Sequence, residues 1–292
     1  MKYTGTTYRP PPEAFTPLLQ VTAGCAHNRC SFCDMYRDVQ FAVETLEQIE
    51  RDIIELKLMH FRMPRIYLVN GDPFVLRAER LLEVVELIKK HAPECETVSM
   101  YASISNIMSK SDDELIQLRA AGINDLYVGV ESGWDKVLNL MNKGHTAEEA
   151  YSQMERLNRF GINHRDMYIL GGAGTGNGIE NARKNAAFIN RTKPQMIWFG
   201  SLTITKDTDL WHERENGNFQ EATAREILEE EVEVISLIEL DDVVFLGNHP
   251  TNTVSISGNI PADREHFIGT LQQALDSGNA GDLDRVHVRS MI

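Results

Sequence analysis

The stretch Arg65-Ile66-Tyr67-Leu68-Val69-Asn70-Gly71-Asp72-Pro73 decides the fold class. A short apolar strand, RIYLV, runs into a cluster of turn residues. Before it, Thr45 to His60 places apolar residues at Leu46, Ile49, Ile53, Ile54 and Leu56, which is helical spacing. After it, Glu79 to Lys90 reads as a helix. The same alternation extends both ways. Thr16 to Thr22 reads as a first strand ending at Gly24, and Thr97 to Ala102 as a third. Ser111-Asp112-Asp113-Glu114 resembles a helix start, with the helix ending near Gly122. Asp125 to Val130 is a fourth strand, Thr146 to Phe160 a helix that stops at Gly161, and Asp166 to Leu170 a fifth strand. Ile179 to Arg191 is a helix and Met196 to Ile204 a sixth strand. About six β/α units predict a mainly parallel sheet with right-handed crossovers. Six units fall short of the eight of a closed barrel, so the expected fold is α/β, a partial (β/α)6 TIM-like barrel with a C-terminal extension.

The alternation breaks after residue 205. Trp211 to Asn218 reads as a loop, Glu221 to Leu240 as a long acidic helix, and Val243 to Gly247 as one more strand. Pro261 to Asp276 reads as a final helix, and the last dozen or so residues as loosely structured. The expected organisation is a core over 1–205, with 206–292 packing on it rather than forming an independent domain.

Composition narrows the function. Hydrophobic residues make up 42% and charged residues 25% of the 292, as in soluble globular proteins. No run of about 18 apolar residues occurs, so no membrane span is expected. Met1-Lys2-Tyr3-Thr4-Gly5 lacks the apolar core of a signal peptide, and a cytoplasmic location is expected. A net charge of −14 without a Lys/Arg-rich run disfavours a nucleic-acid partner.

Chemistry enters with the cysteines. Of four, Cys25, Cys30 and Cys33 fall within nine residues, in Gly24-Cys25-Ala26-His27-Asn28-Arg29-Cys30-Ser31-Phe32-Cys33, directly after the first strand. Loops at the carboxyl ends of parallel strands carry active sites, and clustered cysteines in such a chain point to metal binding rather than disulfides. A four-iron cubane is commonly held by four thiolates. Three local cysteines leave one iron open to an exogenous chelate such as an amino acid. A zinc knuckle with His27 as fourth ligand is the alternative, although His27 sits only two residues from Cys25 and no second C-x2-C pair occurs. Coincidental buried thiols are a third reading.

This loop resembles the cluster loop of the radical S-adenosylmethionine (SAM) superfamily, with one departure: C-x4-C-x2-C replaces the usual C-x3-C-x2-C. The resemblance covers about residues 16 to 205. It implies a [4Fe–4S] cluster on Cys25, Cys30 and Cys33, with SAM chelating the fourth iron and Phe32 near the adenine. Asn70, Gly71 and Asp72 occupy the place of the family's Gly-Gly-Glu-Pro turn, which binds the SAM amino group. The segment Leu126 to Trp134, continuing through Lys143 to Thr146, is similar to the branch containing coproporphyrinogen dehydrogenase and the methylthiotransferases. That similarity implies that Glu131 contacts the ribose or methionine part of SAM and that Lys143 pairs with its carboxylate. Met167 to Gly174 resembles the family's fifth-strand motif, which implies backbone near Ile169 and Leu170 beside the adenine. Tyr101 and Ser103, at the end of the third strand, are carried over as pocket-lining.

The resemblance implies reductive cleavage of SAM to a 5′-deoxyadenosyl radical that abstracts a substrate hydrogen. It also implies an electron donor such as flavodoxin or ferredoxin. The lack of further clustered cysteines and the acidic charge favour a small-molecule substrate. Cleavage of a different C–S bond of SAM, and a zinc-stabilised binding module, remain as alternatives. Gly247-Asn248-His249-Pro250-Thr251-Asn252 follows a predicted strand and is a candidate substrate contact, although a lone histidine is more often structural. His164, Arg165 and His212 are equally ambiguous. Cys95, beside a predicted helix end, reads as a bystander.

Overall fold

The computed structural model describes residues 1–278 and 280–286. By its internal contacts the chain divides into two compact units. One comprises Met1–Asn28, Asp34–Gly129 and Gln153–His164; the other comprises Arg29–Cys33, Val130–Ser152 and the residues from Arg165 onward.

In the first unit, β1 (Leu18–Gln20) precedes a two-stranded ribbon of β2 (Thr22–Ala23) and β3 (Ala42–Val43). Helix α1 (Leu46–Met59), capped by the Thr45 hydroxyl, leads into β4 (Arg65–Val69). Then come α2 (Ala78–His91), β5 (Thr97–Ala102), the short α3 (Ile104–Met108), α4 (Asp112–Ala121) and β6 (Ile123–Glu131). Strands β1, β4, β5 and β6 are parallel and hydrogen-bonded in that order. The expected helix start at Ser111 is a full capping box with Glu114.

One face of this sheet is layered. Near the amino ends, buried Glu13 accepts hydrogen bonds from Arg65 Nε (3.0 Å), Ser99 Oγ (3.0 Å) and Tyr127 OH (2.9 Å). Arg65 also donates to Asp125 Oδ2 at 2.6 Å. Burial alone would raise the Glu13 pKa; the hydrogen bonds, led by Arg65, outweigh it and hold the carboxylate below its ordinary range. Next come Tyr67, Tyr101 and Tyr127, packed edge to face with centroids 5.8–6.2 Å apart. The carboxyl ends of the strands, beyond this aromatic layer, carry the residues named above for a site.

The second unit begins its helices with α5 (Asp135–Leu140) and the start of α6 (Ala147–Arg159). It continues with β7 (Asn163–Leu170), α7 (Gly178–Thr192), β8 (Met196–Ser201), α8 (Asp209–Glu215), α9 (Ala224–Leu237), β9 (Val243–Gly247) and β10 (Ile256–Ile260). Helices α10 (Arg264–Ser277) and α11 (Ala280–Leu283) end the described chain. Strands β7, β8 and β9 are parallel, and β10 runs antiparallel to β9. Tyr168, Phe199, Phe245 and Phe267 form a chain of ring contacts at 5.2–5.6 Å through the core under α7, α9 and α10.

Three expectations change. Trp211 to Asn218 is not a loop: α8 spans Asp209–Glu215, capped by Thr208 Oγ1, which accepts from Trp211 N. Its single fully buried residue, Leu210, leaves no apolar stripe to read. Strand β10 was not expected, because Ser257, Gly258 and Asn259 carry little strand signal. Among the last dozen or so residues Ala280–Leu283 is helical, and Arg285 O accepts a hydrogen bond from Ala224 N. The expectation for 287–292 lies outside the described residues.

Candidate cofactor site

In the first unit, Cys25 leaves the ribbon through Gly24, whose φ of +69° favours glycine; a Cβ there would stand 2.7 Å from Val39 O. The turn after β4 lies against this cysteine. Gly71 N donates to Gly24 O at 3.3 Å, and a Cβ on Gly71 would stand 2.8 Å from both Cys25 Cβ and Tyr36 Cε2. Asn70 is fully buried in a left-handed conformation, with φ of 82°. Its Nδ2 donates to Gln20 Oε1 and Thr22 O, while its Oδ1 is buried without a partner among the described residues. Asp72 accepts from Asn106 Nδ2 at 2.5 Å. Ser103 Oγ caps α3 through Asn106 N, so Ser103 and Asp72 share Asn106. Tyr101 is half-buried on the aromatic layer.

In the second unit, Cys30 and Cys33 sit on one turn, with Cys33 N donating to Cys30 O. The turn is stapled in place. Ser31 N donates to Met141 O (3.0 Å), Ser31 Oγ to Leu140 O (2.7 Å), Leu210 N to Ser31 O (2.8 Å) and Asn142 Nδ2 to Arg29 O (2.8 Å). Phe32 packs with Ile169 against a core of Val137, Met141, Ala173, Leu202, Leu210 and Phe219. Lys143 Nζ donates to Glu131 Oε1 at 3.0 Å, both side chains being nearly buried. Burial works against the ammonium, but the charges of Glu131, Cys30 and Cys33 outweigh it and raise its pKa. Glu131 adopts φ of 64°, a conformation that costs a non-glycine residue about 1–2 kcal/mol. Ile169 is half-exposed. Leu170 is fully buried on the opposite face, where its carbonyl accepts from Leu202 N, so only its backbone lies at the strand end.

Sequence reasoning missed a buried polar network in the second unit. Gly171 N donates to Glu230 Oε2 at 2.8 Å, and Asn181 Nδ2 to Glu230 Oε1 at 2.7 Å. Asn181 Oδ1 in turn accepts from Ser132 Oγ at 2.6 Å. Glu230, on α9, thereby ties the turn after β7 to the turn after β6. Desolvation raises its pKa to about 7, and that of neighbouring Glu231 to about 8. A signal was present: Glu230 and Glu231 stand three and four residues after Ile227 and four before Val234 and Ile235, on the apolar stripe of α9.

The donor set fits the cofactors the loop implies. Cys25, Cys30 and Cys33 are each half-exposed; in the second unit Cys30 and Cys33 help to raise the Lys143 pKa, and in the first unit the buried Asn70 Oδ1, without a partner among the described residues, precedes the glycine that abuts Cys25. Among the described residues no three His, Cys, Asp or Glu side chains are gathered to hold a single metal ion.

Comparison with known proteins agrees. The radical SAM superfamily profile matches residues 19–184, more than half of the chain. The 4′-phospho-dehydrooxetanocin synthase of Priestia megaterium is 26% identical over 206 residues, covering 63% of this chain and 27% of that protein. The heme chaperone HemW of Bacillus subtilis is 24% identical over 153 residues, covering 51% and 40% respectively. The chain thus spans less than half the length of these relatives. Among solved structures, methylornithine synthase (PylB) superposes with a TM-score of 0.55 at 16% identity, over 88% of this chain and 68% of that one. That likeness shows the fold, the mainly parallel α/β class of partial barrels. No helix among the described residues is long and apolar enough to cross a membrane. The chain belongs to the radical SAM superfamily, whose enzymes use a [4Fe–4S] cluster and SAM.

Proposed function

We propose that Cys25, Cys30 and Cys33 hold the cluster and that the enzyme abstracts hydrogen from a small-molecule substrate. The observation that carries this reading is the nearly buried Lys143 ammonium, which donates to the Glu131 carboxylate at 3.0 Å and whose pKa is raised by Glu131 and by Cys30 and Cys33. When bound, the cluster supplies the electron that splits SAM into methionine and a 5′-deoxyadenosyl radical. Flavodoxin or ferredoxin is the class of donor that would deliver it.

The chain's own residues bind and orient. Lys143 neutralises the SAM carboxylate, and Glu131, held in place by Lys143, accepts from the ribose hydroxyls. The Asn70-Gly71-Asp72 turn takes the SAM amino group, using the Asn70 Oδ1 that lacks a partner among the described residues. Phe32, Ile169 and the Leu170 backbone flank the adenine, with Tyr101 and Ser103 lining the pocket. The stapled cysteine turn and apolar packing of Phe32 exclude water from one side.

The test is SAM binding to the reconstituted enzyme by equilibrium dialysis, followed by chromatography of the products. Glu131→Gln is expected to weaken SAM about tenfold, the loss of one charge-assisted hydrogen bond. 5′-Deoxyadenosine is the expected product. Unchanged affinity would remove Glu131 from the site, and methylthioadenosine would show that the other C–S bond is cut.

A further inference from the structure

The two faces of the β7–β9 sheet are unlike. His164, Asp166, Tyr168, Leu170, Ile197 and Phe199 are buried under helices. The opposite face leaves Arg165, Met167, Ile169, Trp198, Gly200 and Leu246 half-exposed. Register places Met167 beside Trp198, Trp198 beside Leu246, and Ile169 beside Gly200. This second face is therefore a floor of apolar side chains, and it continues to Ile169 at the adenine end of the site. In a chain of net charge −14, the one charge these strands bring to it is a cation, Arg165.

Two N–H groups stand on that floor. The Trp198 indole N–H is buried and has no acceptor among the described residues. A buried indole N–H normally has one. The His249 ring lies 5.5 Å from the Trp198 ring, centroid to centroid, and against Gly200, where a Cβ would stand 3.5 Å away. Its tautomer follows from its neighbours. Thr251 N can only donate, and it lies 3.2 Å from His249 Nδ1, with Thr251 Oγ1 at 2.7 Å. Nδ1 is thus an acceptor, which leaves the ring proton on Nε2. Burial lowers the histidine's pKa and favours this neutral form. The loop carrying it is pinned to β8: Asn252 Nδ2 donates to Phe199 O and Gly247 O, and Asn252 Oδ1 accepts from Ser201 N at 2.7 Å.

We propose that Trp198 and His249 form an oxygen-anion subsite that anchors a carboxylate of the substrate on the apolar floor beside Ile169. Neutral N–H donors suit a planar monoanion. A phosphate dianion calls instead for several cations or a helix-start nest of amides. The proposal rests on the functional reading above for the claim that the ligand is the substrate; the binding itself needs no cluster.

The experiment therefore uses the full chain without cluster, 15N-labelled, with indole N–H signals from Trp134, Trp198 and Trp211. Trp198→Phe identifies the Trp198 signal. Hexanoate, hexanamide and inorganic phosphate are the probes. Hexanoate is expected to shift the Trp198 N–H saturably, while hexanamide and phosphate leave it in place. His249→Ala should weaken hexanoate about tenfold, and His249→Gln, which restores an N–H donor, should recover part of that. No saturable shift with hexanoate, an equal shift with hexanamide, or a stronger response to phosphate would each overturn the carboxylate subsite. If hexanoate binds as expected but the reconstituted enzyme does not cleave SAM, the functional reading fails and the subsite stands.

Discussion

Gly71→Ala tests whether the turn after β4 and the cysteine loop are one piece of machinery. The added methyl would stand 2.8 Å from Cys25 Cβ, 2.8 Å from Tyr36 Cε2 and 2.9 Å from Gly24 O. Carbon atoms pack at about 3.5–4.0 Å, so each neighbour must retreat by most of an ångström. Two of the three belong to the cysteine loop, and that loop takes the displacement. Overpacking of this kind costs about 1–3 kcal/mol. At roughly 2–4 °C per kcal/mol for a protein near this size, Tm should fall by about 2–12 °C. Iron retained after anaerobic reconstitution and gel filtration should fall with it. Gly269→Ala is the matched control. It lies within α10 with nothing within 4 Å of its added Cβ, so it should stabilise by about 0.5–1 kcal/mol and leave iron unchanged. Wild-type Tm and iron in Gly71→Ala would refute the close approach. A lower Tm with full iron would separate the turn from the cluster loop.

The Lys143–Glu131 pair is mostly buried, so Lys143→Met should cost about 3–5 kcal/mol by stranding the carboxylate, read as a lower urea midpoint; a midpoint equal to wild type would mean the pair is solvated. Glu230 and Glu231 have folded pKa values raised to about 7 and about 8, above their unfolded values. Their contribution to stability is complete below the unfolded carboxylate range and is lost as pH rises through about 7 to 8. Urea midpoints should therefore fall between about pH 5 and pH 8, and Glu231→Gln should flatten that fall; an undiminished slope in the variant would place the titration elsewhere. Cys95 is buried, donates to Thr97 O at 3.5 Å, and has a pKa pushed up to about 11 by desolvation. It should react with thiol reagents only as fast as the protein opens, and Cys95→Ala should keep its full iron complement; loss of iron would make it a participant.

Much of this architecture can be read from residue pattern. RIYLV and the Thr97–Ala102 run coincide with β4 and β5 because both are short apolar runs bounded by turns. The three cysteines stand out in the sequence because their clustering is local, within nine residues. Residues fixed by tertiary contact were not. Helix α8 is secured by Leu210 N on Ser31 O, a contact 179 positions apart in sequence, and β10 by pairing with β9 rather than by its own composition. Glu230 falls within the expected long acidic helix without standing out there, because a charged residue on an apolar stripe counts as polar until its partners, Gly171 and Asn181, are known. Leu170 shows the limit in the other direction. It lies in the strand as expected, and the alternation of side chains, which the expectation of a backbone contact did not address, turns its side chain into the core and that of Ile169 to the opposite face.

The most direct test of the account is anaerobic reconstitution of the wild type and Cys30→Ala with iron and sulfide, followed by reduction with dithionite in the presence of SAM. The account predicts about four irons per chain and 5′-deoxyadenosine in the wild type, with both lost in Cys30→Ala. Equal iron and equal 5′-deoxyadenosine in the variant, or neither in the wild type, would contradict it.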